Sequence, residues 1–167
     1  MEKNPVPGDS ALRSAALRLA EKLLTRGLKL ATAESCTAGW IAKCCTDLAG
    51  SSGWFERGFV SYSNAAKQQL LGVEQAVLES EGAVSEAVAL QMAAGALANS
   101  EAEITVAVTG IAGPDGGNED KPVGTVWFGW AAPGGQLTTE CMYFKGDREA
   151  VRRQTVMHAL EGLINRL

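Results

Sequence analysis

The amino-acid sequence predicts a single α/β domain in which a mixed sheet is covered by helices on both faces. Apolar residues with helical spacing alternate with short β-rich runs along the 167 residues. The last two β-rich runs are joined by a Pro-Gly-Gly turn, which is typical of an antiparallel hairpin. No repeat, low-complexity tract or linker divides the chain.

The amino-terminal part is predicted to fold as helix, strand and helix. Residues 1–9 are interpreted as a flexible leader, and 10–167 as the folded domain. Asp9 or Ser10 can cap a first helix, whose apolar residues recur at helical spacing until Gly27. The elements that follow are a strand at 28–32, a turn of small polar residues at 33–39 and a helix at 40–48. A strand, a tight turn and a helix is the arrangement at which α/β proteins place their chemistry.

The middle of the chain adds one strand and two helices. Glycines within 50–53 end the preceding helix, and 54–62 then alternates aromatic and polar side chains in the manner of a strand. Ser63 can cap a helix at 64–71, and Ser85 begins a further helix with an apolar stripe.

The carboxyl-terminal part contributes the remaining strands and the last helix. Residues 104–108 are a compact β-rich run, which is followed by a Gly/Pro/Asp-rich loop at 110–122. The hairpin strands are predicted at 123–131 and 137–144, and a final helix from about 148 to 167. The prediction therefore has five strands and five helices.

Composition excludes several classes of protein. A net charge of −4 and a pI near 5.1 argue against nucleic-acid binding, which requires a basic face. No apolar run approaches the ~20 residues of a membrane span. Four cysteines, one histidine and no CxxC pair argue against a zinc site. Without a secretory apolar segment near the start, we expect reduced thiols in the cytoplasm.

The turn at 33–39 is the first candidate site. Ser35 follows a strand and precedes a helix, so its hydroxyl can face a ligand near the positive end of that helix. Alternatively, Ser35 or Thr37 simply caps the helix. Glu34 either orients a donor or is a solvated carboxylate at the surface.

The second candidate site, between 51 and 67, contains Ser52, Tyr62, Asn64 and Lys67. A serine cannot attack an amide at neutral pH without a base, and His158 sits in the last helix, where we expect a structural or surface role. A lysine whose pKa is lowered by burial can serve as that base. Lys67 is the candidate, with a solvated lysine on a helix as the alternative.

The glycine-rich segment 109–117 is the third candidate site. Its glycines allow close approach of the backbone to a ligand and can present N–H groups to an anion, unless the segment is only a long turn. It matches neither a Walker A loop nor a GxGxxG fingerprint, so no nucleotide cofactor is predicted. Arg148, which opens the last helix, can clamp a phosphate or carboxylate. Arg152 and Arg153 either join it or form a solvated face.

These candidate segments carry a resemblance to a known family. The residues TAESCTAG at 32–39 resemble the TAESCTGG signature of the CinA C-terminal-domain family, with Ala38 as one departure. The similarity covers roughly 10–167. It includes GSS at 50–52, YSN at 62–64, Lys67, TGIAGPDGG at 109–117, KPVGTV at 121–126 and GDR at 146–148.

The resemblance implies an activity and roles for residues. The best-defined members of this family are nicotinamide mononucleotide (NMN) deamidases, which hydrolyse the carboxamide of NMN to nicotinic acid mononucleotide and ammonia in pyridine-nucleotide salvage. It implies a three-layer α/β/α sandwich without metal or cofactor, in the stand-alone form. It further implies Ser35 as nucleophile and Lys67 as general base. The other implied site residues are Tyr62 and Ser52 as orienting or relay groups, and Thr109, Gly110, Gly113, Arg148 and Asn64 around the substrate.

Two matters remain open from the sequence. One alternative function is a non-catalytic nucleotide-binding or regulatory module linked to competence or DNA damage, and another is hydrolysis of a different amide or of a phosphate ester. We also expect the protein to self-associate as a homo-oligomer.

In the catalytic hypothesis, the tetrahedral intermediate carries a negatively charged oxygen. Backbone N–H groups of the turn around Ser35 are expected to donate hydrogen bonds to it.

Overall fold

The computed structural model describes residues 5–167, which form a five-stranded sheet between two layers of helices. The strands are β1 (Leu30–Glu34), β2 (Phe55–Val60), β3 (Ile104–Gly110), β4 (Thr125–Ala131) and β5 (Leu137–Tyr143). The α-helices are α1 (Asp9–Arg26), α2 (Trp40–Thr46), α3 (Asn64–Leu71), α4 (Gln75–Glu81), α5 (Glu86–Ala98) and α6 (Arg148–Ile164). A single 3₁₀ turn covers Ser51–Gly53.

The sheet is mixed, in the order β2-β1-β3-β4-β5. β2, β1 and β3 are parallel, whereas β4 and β5 run antiparallel and form the predicted hairpin. Glu34 at the end of β1 pairs with Val60 on one side and with Val108 on the other. The carboxyl ends of the three parallel strands therefore meet at one edge of the sheet, where α/β proteins bind their ligands.

Each face of the sheet carries its own apolar core. α1, α2 and α6 cover one face around Leu30, Val106 and Phe128. α3, α4 and α5 cover the other face, around Ala33 and Met92. The predicted α/β class and the three-layer arrangement are thus confirmed.

Two elements differ from the prediction. β1 begins at Leu30 rather than at residue 28, because the N–H of Leu28 bonds the carbonyl of Leu23 and so belongs to the end of α1. The strand also continues to Glu34, a buried carboxylate whose residue type is typical of a loop. α4 was not predicted, because Leu78 is its one buried residue and a single apolar position has no periodicity.

The predicted leader overlaps the described structure only in part. Residues 1–4 of it lie outside the described residues. Gly8, rather than Asp9 or Ser10, is the N-cap of α1, and Asp9 is the first residue of the helix. The Asp9 carboxylate accepts a hydrogen bond from Arg153 Nη1 at 2.6 Å.

Within residues 5–167, none of the helices combines the length and apolar character needed to cross a membrane.

Candidate active site

Three hydroxyl side chains stand in a row at the carboxyl edge of the parallel strands. The ladder continues one residue past β1, since the N–H of Ser35 donates to the Val108 carbonyl at 3.1 Å and that of Ser61 donates to the Glu34 carbonyl at 3.0 Å. Each of the three hydroxyl residues, Ser61, Ser35 and Thr109, directly follows a residue that is paired with its neighbour in the sheet. The neighbouring strands that carry them lie about 4.8 Å apart. Alternation along each strand directs all three side chains toward the layer of α3, α4 and α5.

Lys67 reaches this row from α3, which begins directly after β2. Ser63 caps the helix by accepting a hydrogen bond from the N–H of Ala66 at 3.0 Å. Lys67 is 2% exposed, and its Nζ lies 3.0 Å from Ser35 Oγ, from the Ser61 carbonyl and from the Tyr62 carbonyl. The alternative of a solvated lysine is therefore wrong. Burial lowers the pKa of the Lys67 amine.

The three oxygen contacts of Lys67 Nζ suit both protonation states of the amine. A neutral amine has two N–H donors and one lone pair, whereas an ammonium has three donors. As an ammonium, Lys67 donates to all three oxygens. As a neutral amine, it donates to the carbonyls of Ser61 and Tyr62, and its lone pair is then available to the Ser35 hydroxyl proton. No carboxylate within residues 5–167 bonds Nζ and stabilises the charged form. The site therefore places a serine hydroxyl within hydrogen-bond distance of a buried amine whose pKa is lowered.

Glu34 is buried on the opposite face, where it caps α2. Its carboxylate accepts hydrogen bonds from the Thr37 hydroxyl at 2.7 Å and from the N–H groups of Ile41 and Ala42 at 2.8 and 3.0 Å, with Thr32 contributing a longer one. Burial raises the pKa of the Glu34 carboxyl, and these four donors act in the opposite direction. The carboxylate thus occupies the helix end that a ligand was expected to use.

Two expectations for this turn are therefore corrected. Neither Ser35 nor Thr37 caps α2 with its side chain, because the Glu34 carboxylate already accepts the free N–H groups there. Glu34 is not a solvated surface group, as it is 1% exposed. It anchors the first turn of α2 to β1 and so fixes the backbone that carries Ser35.

Glu34→Ala is expected to lower the free energy of unfolding by about 2–4 kcal/mol, because the buried N–H groups of α2 lose a charged acceptor. Urea denaturation measures this difference. The matched control is Glu21→Ala on the exposed side of α1, which is expected to stay within about 0.5 kcal/mol of the parent protein. Equal effects of the two substitutions would show that Glu34 has no special role in stability.

A cavity of about 190 Å³ opens directly above the Ser35–Lys67 pair. Arg148 and Lys67 are its basic lining residues, and Arg148 is the one that carries a fixed positive charge. No carboxylate in residues 5–167 lines this cavity, so its electrostatics favour an anionic ligand group.

Arg148 is held at the rim of this cavity by two contacts. Its Nη1 donates to the Gly113 carbonyl at 2.8 Å, and its Nη2 lies 3.5 Å from the Tyr62 hydroxyl. Gly113 has a φ of 84°, a conformation that favours glycine, and an added Cβ would meet Val123 Cγ1 at 2.5 Å. The glycine-rich loop thus serves as a support for Arg148 as well as a wall of the cavity.

Most of the predicted site residues come together here. The cavity is lined by Ser35, Tyr62, Asn64, Lys67, Thr109, Gly110 and Arg148, and Gly113 contacts Arg148 through its carbonyl. Thr109 is buried and donates to the Ala83 carbonyl at 2.8 Å, which ties β3 to the segment before α5. Gly110 lies against Val126, where an added Cβ would come within 2.7 Å of Cγ2.

The structure does not bring Ser52 into this group. Ser52 is exposed in the 3₁₀ turn that precedes β2, at the amino end of the parallel strands, where Leu30 pairs with Phe55. Ser35 lies beyond the carboxyl end, so the five residues of β1 separate the two serines by about 15 Å along the strand. The expectation that Ser52 lies close to Ser35 is wrong for this chain's fold.

The backbone N–H groups of the turn around Ser35 differ in whether they are free to bind a ligand. The N–H of Ser35 is already bonded to Val108 and is not free for a substrate. Cys36 is next in the turn and lines the cavity, and the part of the chain that the structure describes offers its N–H no acceptor in another residue. Burial raises the pKa of the Cys36 thiol to about 12, so the thiol stays neutral.

Arg152 is a residue whose role the sequence left open. It lies one turn after Arg148 on α6 and donates to the carbonyls of Cys36 and Thr37 at 3.0 and 3.2 Å. Its solvated alternative is therefore wrong, and the i, i+4 spacing was the available signal. Arg152 braces the Ser35 turn from the side opposite Lys67.

His158 takes no part in the site. It lies 2.9 Å from Glu140 Oε2 and packs edge-on against Phe128, with a centroid distance of 4.7 Å. Across 5–167, no group of three or more His, Cys, Asp or Glu side chains is arranged to hold a metal ion.

Comparison with known proteins gives consistent matches over nearly the whole chain. The family model described as the CinA C-terminal domain matches residues 12–167. The nicotinamide-nucleotide amidohydrolase PncC of Escherichia coli K12 is 54% identical over 155 residues, which cover 93% of this chain and 94% of that protein. The Pseudomonas putida protein of the same name is 52% identical over 149 residues, which cover 89% and 92%.

A solved structure shows the same fold. The competence/damage inducible protein CihA from Agrobacterium tumefaciens matches with a TM-score of 0.91 and 46% identity, covering 98% of each chain.

Proposed function

Because this chain belongs to the CinA C-terminal domain family, we propose that it hydrolyses the carboxamide of NMN to nicotinic acid mononucleotide and ammonia. The relatives named nicotinamide-nucleotide amidohydrolase support this substrate. The observation that carries the proposal is the 3.0 Å contact between Lys67 Nζ and Ser35 Oγ, at a cavity without carboxylates in the described chain.

The first step forms an ester on Ser35. Neutral Lys67 accepts the hydroxyl proton while Ser35 Oγ bonds to the carboxamide carbon, and the carbonyl electrons move onto oxygen. The N–H of Cys36 faces that oxygen as a donor. The electron-withdrawing pyridinium ring of NMN makes its carboxamide carbon more electrophilic.

The second half of the reaction returns the protein to its starting state. The C–N bond breaks as the Lys67 ammonium donates its proton to the departing nitrogen, which leaves as ammonia. Neutral Lys67 then takes a proton from water as the water oxygen attacks the ester. The C–O bond to Ser35 breaks, and Lys67 returns the proton to Ser35 Oγ.

Charge at the cavity favours a phosphorylated substrate. Arg148 stands at the rim with a planar guanidinium, which suits a phosphate group. NMN carries such a phosphate, whereas nicotinamide riboside is a cation without one. We therefore assign the NMN phosphate to the Arg148 side of the cavity.

Ammonia release from NMN by the purified protein tests the proposed function. Nicotinamide riboside and NAD are the control substrates, and both are expected to react far more slowly than NMN. Binding of NMN without ammonia release would instead favour a non-catalytic nucleotide-binding module. Faster release from the riboside would contradict phosphate recognition.

The rate of NMN hydrolysis is expected to rise with pH and then to level off. Lys67 acts as a base only when it is deprotonated, and burial lowers its pKa, so the midpoint falls below the ordinary lysine value. A kcat profile from pH 5 to 10 measures this midpoint. A rate that falls across this range would contradict a neutral lysine base.

Arg148→Ala is expected to raise the KM for NMN by roughly 10- to 100-fold, the effect of losing a charged hydrogen-bond partner. Activity on nicotinamide riboside is expected to change little, since that substrate lacks the phosphate. Initial rates with both substrates make the comparison, with Arg18→Ala on exposed α1 as the control. Equal losses on the two substrates would place Arg148 elsewhere than at the phosphate.

A further inference from the structure

Ser61 carries a buried hydroxyl that the site described above does not use. The residue is fully buried, and its Oγ has no hydrogen-bond partner among residues 5–167. An unpaired hydroxyl in the interior costs folding free energy, because its interactions with water are lost without replacement. Such a group in a native fold calls for a physical reason.

The backbone of Ser61 is already part of the catalytic arrangement. Its N–H extends the ladder by bonding the Glu34 carbonyl, and its carbonyl accepts a hydrogen bond from Lys67 Nζ. Its side chain faces the same layer as Phe59, two residues earlier, which packs against the cluster beneath α3 and α5. The hydroxyl therefore lies on the same face of the sheet as Ser35, on the residue whose carbonyl contacts the Lys67 amine.

The hydrogen bonds of Lys67 change during the proposed reaction. In the resting state, two carbonyls and Ser35 Oγ satisfy a neutral amine. After proton transfer the ammonium has a third donor, and Ser35 Oγ has become a tetrahedral or ester oxygen with reduced capacity to accept it. The ammonium then needs a further acceptor.

We propose that Ser61 is a positioning residue whose hydroxyl accepts a hydrogen bond from the Lys67 ammonium while Ser35 carries the acyl group. This inference rests on the proposed function. No covalent bond to Ser61 forms or breaks, since a rotation about its Cα–Cβ bond brings the hydroxyl oxygen to the ammonium that already contacts its carbonyl. It thereby holds the proton donor in place until the departing nitrogen takes the proton.

None of the charged and titratable groups that the structure describes around Lys67 accepts a hydrogen bond from its ammonium. Arg148 from α6 is a cation, and burial keeps the neighbouring Cys36 thiol neutral by raising its pKa to about 12. Glu34 directs its carboxylate to the N–H groups of α2 on the other face of the sheet. No carboxylate in the described part of the chain contacts the ammonium.

Kinetics of three Ser61 variants test this role. Ser61→Ala is expected to lower kcat for NMN tenfold or more with little change in KM, while its Tm equals or exceeds that of the parent protein. Its kcat profile is expected to shift to lower pH, because the ammonium loses an acceptor. Ser61→Thr keeps the hydroxyl and is expected to recover most of the activity. Ser61→Cys, with a weak acceptor, is expected to behave like the alanine variant.

A titration separates this role from packing and from the identity of the substrate. Ser35→Ala removes the same hydroxyl that acylation occupies, so the Lys67 ammonium there depends on Ser61. Adding Ser61→Ala is expected to lower the Lys67 pKa, followed by NMR of ¹³C-labelled lysine, by about one unit or more. Ser80→Ala, at an exposed hydroxyl of α4, is the control added to the same background.

Different outcomes overturn different statements. An unchanged Lys67 pKa in the double variant, or a Ser61→Ala protein with parental kcat, would overturn the role of Ser61. If Ser61→Ala lowers both kcat and Tm, and Ser61→Thr restores neither, the role of Ser61 is limited to packing. A parent protein that releases no ammonia from NMN would overturn the proposed function, and the titration would still decide the role of Ser61.

Discussion

Lys67→Met is expected to reduce kcat for NMN hydrolysis by roughly 10³-fold or more, because a thioether cannot accept the Ser35 proton. Methionine resembles the buried lysine stem in length and removes an amine that is costly to bury, so the fold is expected to persist. KM is expected to change little, since Lys67 acts on Ser35 rather than on the phosphate. Steady-state ammonia release measures both constants.

Lys67→Arg distinguishes a base from a positive charge. The guanidinium stays protonated at all accessible pH values, so this variant is expected to be as inactive as Lys67→Met. Lys145→Met, at an exposed position before α6, serves as the control and is expected to retain full turnover. Substantial activity in Lys67→Arg would show that the site needs a cation there and not a proton acceptor.

Ser35→Ala is expected to abolish covalent catalysis and to lower kcat by roughly 10⁴-fold or more. The N–H of Ser35 bonds Val108 through the backbone, so the ladder survives the loss of the hydroxyl and the fold is expected to be unchanged. NMN binding is expected to persist, because Arg148 and the loop that supports it are untouched. Turnover assays and equilibrium binding on the same preparation separate the two effects.

The control for Ser35→Ala is Ser10→Ala, which removes an exposed hydroxyl from the first turn of α1. It is expected to retain parental kcat. Turnover by Ser35→Ala at more than about one tenth of the parental rate would be incompatible with a Ser35 nucleophile.

Much of the fold can be predicted from the spacing of apolar residues and from the residues that cap helices or form turns. The helix at Asn64–Leu71 lies where Ser63 and Gly72 cap it, and the hairpin strands flank a recognisable turn. The bounds of β1 could not be predicted, because a carboxylate such as Glu34 is read as surface until its four donors are known. α4 could not be predicted, because a helix with one buried residue has no periodic spacing of apolar side chains.

The sequence predicted some residues of the candidate site but not all of them. Ser35 and Lys67 stood out through their places after strands, and the family resemblance raised them above their structural alternatives. The position of Ser52 relative to Ser35 could not be predicted, because their separation in sequence does not reveal which end of the sheet Ser52 occupies. The contacts of Arg152 and of the Ser61 carbonyl depend on how α6 and α3 pack, which single residues do not encode.

The ester on Ser35 is the species that distinguishes this mechanism from direct attack by water. Rapid acid quench of the protein during NMN turnover, followed by intact-mass and peptide analysis, measures it directly. The account predicts a mass increase equal to the acyl group of NMN on the peptide that contains Ser35, and its absence in Ser35→Ala. An adduct on another residue, or continued turnover by Ser35→Ala without any adduct, would contradict the Ser35–Lys67 mechanism.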